Sequence, residues 1–413
     1  MDFDTRYKKL NAQQKQAVDT IDGPVMVVAG PGTGKTELLS MRAANILKRT
    51  DVLPENILCL TFTESGASAM RERLVSIIGK DAYKVAIHTF HSFGTEIINQ
   101  HGQYFYHGAN FRPADELSSY EIIRGIFDEL EYTSPLAKKM NGEYTYLSDT
   151  LRTISELKRS GLTSDELTIV LDANDAVIDK IESQLAEVFA ARISKSTPGQ
   201  LAPILERIRT IDETTELVTI VPLQRIIAES LEQALEVAAD TGKTTSVTAW
   251  KNTWLKKNEQ GDFVFKSRER QVKLRALSAV YYQYLARMQE AELYDFDDMI
   301  LRVVHAMEVF DDLRFNLQEK LQYIMVDEFQ DTNMAQMRIL HNLTDNPANE
   351  GKPNILVVGD DDQAIYSFQG AEIGNIINFR ELYSTTKLIT LVDNYRSAPT
   401  ILSIRTLHET DNR

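Results

Sequence analysis

Two short segments carry residues whose types and spacing could do phosphate chemistry. Residues 24–37 read PVMVVAGPGTGKTE. An apolar run passes into a turn made of Ala29, Gly30, Pro31, Gly32, Thr33 and Gly34, and then into an amphipathic stretch. That is the context in which a phosphate-binding loop works. Gly32 and Gly34 let backbone N–H groups wrap an anion without a Cβ in the way. The following helix presents its N-terminus to the charge. Lys35 is then placed for the β- and γ-phosphates of a nucleotide, and Thr36 for Mg2+. Ala29 stands where the strict pattern has glycine, a variation the looser form allows. The bland alternative is a glycine-rich turn without a ligand.

Residues 323–332, YIMVDEFQDT, supply the carboxylates such a loop needs. Four apolar residues end in Asp327 and Glu328. Asp327 is expected in the Mg2+ shell, and Glu328 is expected to activate or orient an attacking water. An acidic strand end that caps the next helix is the alternative. Pairing with the lysine loop weighs against it.

These groups must be positioned by a scaffold. Three apolar runs lie near the N-terminus (Val25–Ala29, Ile57–Phe62, Lys84–Phe90) and three more near the C-terminus (Tyr323–Val326, Ile355–Val358, Leu388–Val392). Near-continuous Val/Ile/Leu runs predict strands buried on both faces, hence a parallel sheet. Amphipathic segments such as Glu37–Lys48 and Met334–Leu343 alternate with them, which predicts βαβ units. Between these ends the period is helical. Ile178, Ile181, Leu185, Val188 and Phe189 share one face, as do Leu223, Ile226, Ile227, Leu231 and Leu235. The middle therefore reads as a mostly helical insert, with loops at Ser160-Gly161 and Glu259-Gln260-Gly261.

Composition narrows the class. A net charge of −15 excludes a protein that coats nucleic acid indiscriminately, but not one with a local groove. The single cysteine, Cys59, excludes an intrachain disulfide and fits a reducing cytoplasm. No apolar run approaches the ~20 residues of a membrane span. The opening MDFDTRYKKL has no apolar core of a secretory signal. A cytoplasmic location and no membrane partner are expected.

Further motifs follow in a fixed order. They are LNAQQKQAV (10–18), LTFTESGASAM (60–70), IHTFHSFG (87–94), YDFDDMI (294–300), DEFQDT, VVGDDDQAIYSFQGA (357–371) and LVDNYRS (391–397). Together with the phosphate loop they resemble the UvrD/Rep/PcrA group of superfamily 1 helicases. The resemblance is strong over the two α/β stretches and loose over the insert, around ISELKRSGL (154–162).

That resemblance implies an α/β fold: a RecA-like P-loop NTPase parallel sheet with a mostly helical inserted domain. The implied divisions are a first motor segment at 1–109, a helical insert at 110–289, a second motor segment at 290–385, and a hinge entering a second motor domain at 386–413. It implies ATP and Mg2+ as cofactors, single-stranded and partly duplex DNA as partners, and ATP-driven 3′–5′ translocation with unwinding. Gln14 matches a glutamine that reads the adenine edge. Gln363 matches one that senses the γ-phosphate, Arg396 an arginine that contacts it, and Tyr395 an aromatic that stacks on adenine. With Lys35 and Glu328, Gln363 and Arg396 form the expected catalytic set. Phe62, Tyr366 and Phe368 match positions near single-stranded DNA, where stacking on rings tolerates any base. Thr61, Thr63, Thr89, His91 and Ser92 are expected to donate to its backbone.

Three departures stand out. Glu37 occupies the place of an arginine that packs on adenine, Phe368 that of a tryptophan, and Gln369 that of an arginine. A basic stretch, Lys256–Arg275, is the insert's candidate DNA face, with a solvated helix face as the alternative. The family continues past NYRS into a second motor domain. The chain is expected to be the front half, to turn ATP over poorly, and not to unwind DNA alone. Two other readings are the helicase half of a helicase–nuclease and an ATP-gated DNA clamp that never unwinds.

Overall fold

Six stretches of chain pair side by side in a computed structural model that describes residues 3–105, 111–212, 217, 220–360 and 379–395. They are β1 (Val25–Ala29), β2 (Ile57–Thr61), β3 (Ala86–Thr89), β4 (Tyr323–Val326), β5 (Ile355–Gly359) and β6 (Lys387–Leu391). The order across the sheet is β6-β1-β5-β4-β2-β3, and every pairing is parallel. The register aligns Val27 with Val358 and with Ile389, and Val326 with Leu60.

The continuous apolar runs have a simple cause: both faces of the sheet are covered. Met26, Leu58, Leu60, Ile324, Val326 and Val357 belong to one core, while Val25, Val27, Ile57, Cys59, Met325 and Val358 belong to the other. Successive residues of a strand point to opposite faces, so neighbours fall into different cores. The second core is closed by helices α1 (Phe3–Lys9), α2 (Ala12–Asp19), α3 (Lys35–Arg49) and α4 (Glu64–Ile78). The first is closed by α5 (Phe90–Gln100) and by three helices late in the chain, described below.

Between these parts run α6 (Glu116–Asp128), α7 (Leu147–Arg159), α8 (Ser164–Ala190), α9 (Thr197–Arg209), α10 (Leu223–Thr241), α11 (Thr245–Trp254) and α12 (Ser267–Glu290). Helices α8 to α11 share a core that gathers Ile178, Ile181, Leu185, Leu231 and Trp250. The late helices over the sheet are α13 (Phe296–Val309), α14 (Asp311–Lys320) and α15 (Met334–Thr344).

The chain divides into two units by its contacts. One comprises Met1–Pro113, Glu156–Gly161 and Tyr294–Arg413; the other comprises Ala114–Ser155 and Leu162–Leu293. The sequence reading placed 156–161 inside the insert, but this short piece packs within the sheet-bearing unit. Two contacts hold it there. Lys158 is fully buried, with Nζ 2.6 Å from both Asp295 Oδ2 and Asp298 Oδ1. Gly161 has φ +73°, and a Cβ there would come within 3.2 Å of the Ala335 Cα. Its carbonyl accepts from Arg338 Nη1. Lys387–Leu391, overlapping the expected strand Leu388–Val392 at the head of the segment read as a hinge, forms the edge strand beside β1.

Candidate nucleotide site and nucleic-acid groove

Because all six strands are parallel, their carboxyl ends share one edge of the sheet, where ligands of open α/β folds bind. The candidate residues follow those ends. The phosphate loop follows β1, Asp327 and Glu328 follow β4, Phe62 follows β2, and His91 lies just past β3.

The loop has the backbone its glycines permit. Gly32 and Gly34 adopt φ of +79° and +87°, values that L side chains rarely reach. Gly34 then starts α3, with Lys35 and Thr36 in its first turn. Gln14 buttresses the loop. It is 6% exposed, its Nε2 donates to the Thr33 carbonyl at 2.9 Å, and its Oε1 accepts from Asn11 N at 3.1 Å. A Cβ on Gly34 would lie 3.2 Å from that Nε2.

The chain beyond β6 returns to the same loop. Asn394 Nδ2 donates to the Pro31 carbonyl at 2.8 Å, and Tyr395 N donates to the Gly32 carbonyl at 2.8 Å. Asn11 Nδ2 donates to the Tyr395 hydroxyl at 2.9 Å and leaves the ring 61% exposed. Gln14, Asn11 and Tyr395 thus gather beside the loop. Glu37 faces away from a role as a cation: Arg6 Nη1 reaches its two carboxylate oxygens at 3.1 and 3.2 Å, and Arg73 lies 3.4 Å from it.

At the carboxylate end, Lys35 Nζ lies 3.1 Å from Glu328 Oε2. Glu328 itself has φ +50°, a left-handed backbone that is uncommon for a non-glycine residue. Asp327 is deeply set. Its Oδ1 accepts from the Glu328 N–H at 2.9 Å, and its own N–H donates to Leu60 O. Burial, and then the neighbouring Glu328, push its pKa up to about 6, against the pull of Lys35. Asp331 is likewise pushed up to about 6 by burial and then by Glu328.

Sequence reasoning missed Gln330, although it lies inside DEFQDT. It is 2% exposed. Its Nε2 donates to Glu328 Oε2 at 2.7 Å, and its Oε1 accepts from Asp360 N at 3.1 Å. One amide therefore ties the carboxylate beside the lysine to the end of β5. The Phe329–Asp331 turn carries the chain from Glu328 to Asp331.

Asp331 lines a hollow of about 330 Å3. Thr61, Phe62, Phe90 and His91 line it from the strand-end side, and Arg159, Phe296 and Asp297 line it as well. Phe296 is 66% exposed and meets His91 edge to face, with ring centroids 6.1 Å apart. Burial lowers the His91 pKa; Asp297 opposes this and Arg159 adds to it. Phe296 was quoted in YDFDDMI without a role; its phenyl group on an exposed first turn was the available signal.

The remaining candidates divide. Thr63, Thr89 and Ser92 do not line that hollow. Thr63 caps α4, accepting from Gly66 N at 3.0 Å. Thr89 caps α5 and donates to Glu64 Oε1 at 2.9 Å, while Ser92 donates to the Thr89 carbonyl at 3.2 Å. Thr61 donates to the Thr63 carbonyl at 3.0 Å. As arranged here, the hydroxyl protons of Thr61, Thr89 and Ser92 are used inside the protein. Gln363, Tyr366, Phe368 and Arg396, with the departure at Gln369, lie outside the described residues.

Three of the basic groups of the insert's stretch are paired with carboxylates. Arg268 pairs with Asp175, Asp179 and Glu182, and Arg275 with Asp172 and Asp175, all on α8. Lys256 pairs with Glu269. Arg268 and Arg275 thus join two helices of one unit.

A lysine-bearing phosphate loop, an acidic pair at a neighbouring strand end and a parallel sheet define a P-loop nucleotide-binding protein. The family can be stated more closely: residues 10–384 match the UvrD/REP helicase N-terminal domain, and the chain belongs to that family. It is 28% identical over 398 residues to the ATP-dependent DNA helicase PcrA of Staphylococcus epidermidis, and 27% identical over 394 residues to that of Staphylococcus aureus. These alignments cover 96% and 95% of this chain but 39% of each relative.

Proposed function

We propose that this chain is the ATP-binding half of a motor that moves on single-stranded DNA and separates duplex. One observation carries the reading. Glu328, beside the phosphate loop, and Asp331, in the wall of the hollow, belong to a single tight turn, with Gln330 bonded to Glu328 between them. A change at the phosphate end is therefore passed directly to the groove.

The residues fit a nucleotide and its metal. Gly32 and Gly34 leave the cradle open, and Lys35 already holds an anionic oxygen at 3.1 Å. Thr36 and Asp327 would hold Mg2+, which supplies positive charge against the phosphates. Among the described residues no three metal-ligating side chains converge, so the remaining ligands must be phosphate oxygens and water. Water attacks the γ-phosphorus as Glu328 takes its proton; the bond to the β-phosphate bridging oxygen breaks, releasing ADP and phosphate. Tyr395 offers its ring to adenine, and Gln14 stands beside it. A second motor lobe would cover the exposed Tyr395 ring and close the site. Arg396 and Gln363 belong to this reading as γ-phosphate contacts, Tyr366 and Phe368 as DNA contacts. No described helix is long and apolar enough to cross a membrane, and a cytoplasmic motor is in keeping with that.

The test is ATP binding and hydrolysis by the chain, with and without single-stranded DNA, using Lys35→Ala as blank. Mg2+-dependent ATP binding that the variant lacks, altered by DNA, supports the reading. A chain that binds neither ligand overturns it.

A further inference from the structure

The hollow beside Phe62 must hold a polyanion if nucleic acid lies there, yet its described lining residues carry little positive charge. Asp297 and Asp331 both contribute carboxyl groups, and burial keeps His91 inclined to neutrality. Among the described lining residues Arg159 is the one lysine or arginine. Its side chain is 33% exposed, and its Nε donates to Asp297 Oδ1 at 3.2 Å and Oδ2 at 3.3 Å. A guanidinium has five N–H donors in a planar fork that matches phosphate oxygens.

The backbone that carries it is firmly placed. The preceding residue, Lys158, is fully buried between Asp295 and Asp298, which flank Asp297 in the first turn of α13. Arg159 and Asp297 are thus brought together by a neighbouring ion pair that faces inward.

We propose that Arg159 is a phosphate-binding residue of this groove, held by Asp297 until the backbone of single-stranded nucleic acid replaces that carboxylate. The assignment rests on the nucleic-acid reading of the hollow. Asp297 then has a second effect: by competing for the guanidinium it limits affinity, so that the strand is held loosely enough to be moved.

The test is anisotropy of a labelled oligothymidylate titrated with the chain across a salt series. Losing one phosphate contact on a single strand lowers the slope of log K against log salt by ~0.7. Arg159→Gln is expected to show that decrease with about tenfold weaker binding at low salt. Arg159→Lys is expected to keep the slope. Asp297→Asn is expected to bind more tightly than the unaltered chain. An Arg159→Gln variant with the unaltered slope, or an Arg159→Lys variant that loses it while melting normally, overturns the proposal and leaves the groove standing. An unaltered chain that fails to bind overturns the groove reading and this proposal with it.

Discussion

Lys35 Nζ and Glu328 Oε2 are 3.1 Å apart, although 293 residues separate them in the chain. The lysine side chain is 10% exposed and the carboxylate 39%. Without phosphate, the cation of the loop is thus neutralised by the residue proposed to handle water. An incoming γ-phosphate must displace that contact, which frees Glu328 at the moment its task begins.

The two ends of that pair are expected to fail differently. Lys35→Ala removes the charge that meets phosphate and should abolish measurable ATP binding. Glu328→Gln removes the proton acceptor but also releases the lysine. Nucleotide affinity should hold or rise while hydrolysis by the complete motor falls ~100-fold or more. Calorimetry and a steady-state assay separate the two effects; equal loss of binding in both variants would refute this division of labour.

Gln330 predicts a defect in communication. Gln330→Ala removes the bond to Glu328 and the oxygen that accepts from the buried Asp360 N–H. The cost is ~1–3 kcal/mol in stability. Stimulation of hydrolysis by DNA should shrink by more than the DNA-independent rate. A variant in which both rates fall by the same factor would reduce Gln330 to a structural part.

Asp331 makes stability depend on pH. Its folded pKa is about 6, against ~4 for an ordinary aspartate. Between those values the folded chain keeps a proton that the unfolded chain has released, so this group lowers stability as pH rises through the window. Asp331→Asn should therefore be more stable than the unaltered chain at neutral pH, with the difference vanishing toward pH ~4. Denaturant midpoints across that range provide the check, and a difference that stays constant would contradict the assignment.

Lys158 should be costly to remove. Taking one partner from a buried ion pair leaves the other charge uncompensated, at ~3–5 kcal/mol. Lys158→Met is expected to lower the denaturant midpoint at constant slope, whereas adding Asp298→Asn should restore part of the loss. A loss under ~1 kcal/mol would place the pair in water, against its burial.

The strands and the loop were legible from sequence because their causes are local. Burial on both faces writes itself as runs such as Ile355–Val358, and a phosphate cradle requires Gly32 and Gly34 within a few residues. Lys158, Arg159 and Gln330 were not legible in their roles. Each depends on partners distant in the chain or on the far side of a turn: Asp295 and Asp298, Asp297, and Asp360. Nothing in the spacing of LKRSGL says that this fragment leaves the insert to lie against α13. The same holds for Thr89, whose hydroxyl looked available until Glu64 was found to accept from it. The pairing of Arg268 and Arg275 was not legible either, since their counter-charges lie on α8, some ninety residues away.

Asn394 and Tyr395 are stitched to the carbonyls of Pro31 and Gly32. The polypeptide therefore leaves the sheet already fastened to the part that senses whether phosphate is present. Any tightening of the loop pulls on Asn394 and Tyr395 themselves. In the proposed motor these two backbone carbonyls would harness hydrolysis to traction, so slack introduced at Asn394 is expected to let fuel be consumed without force.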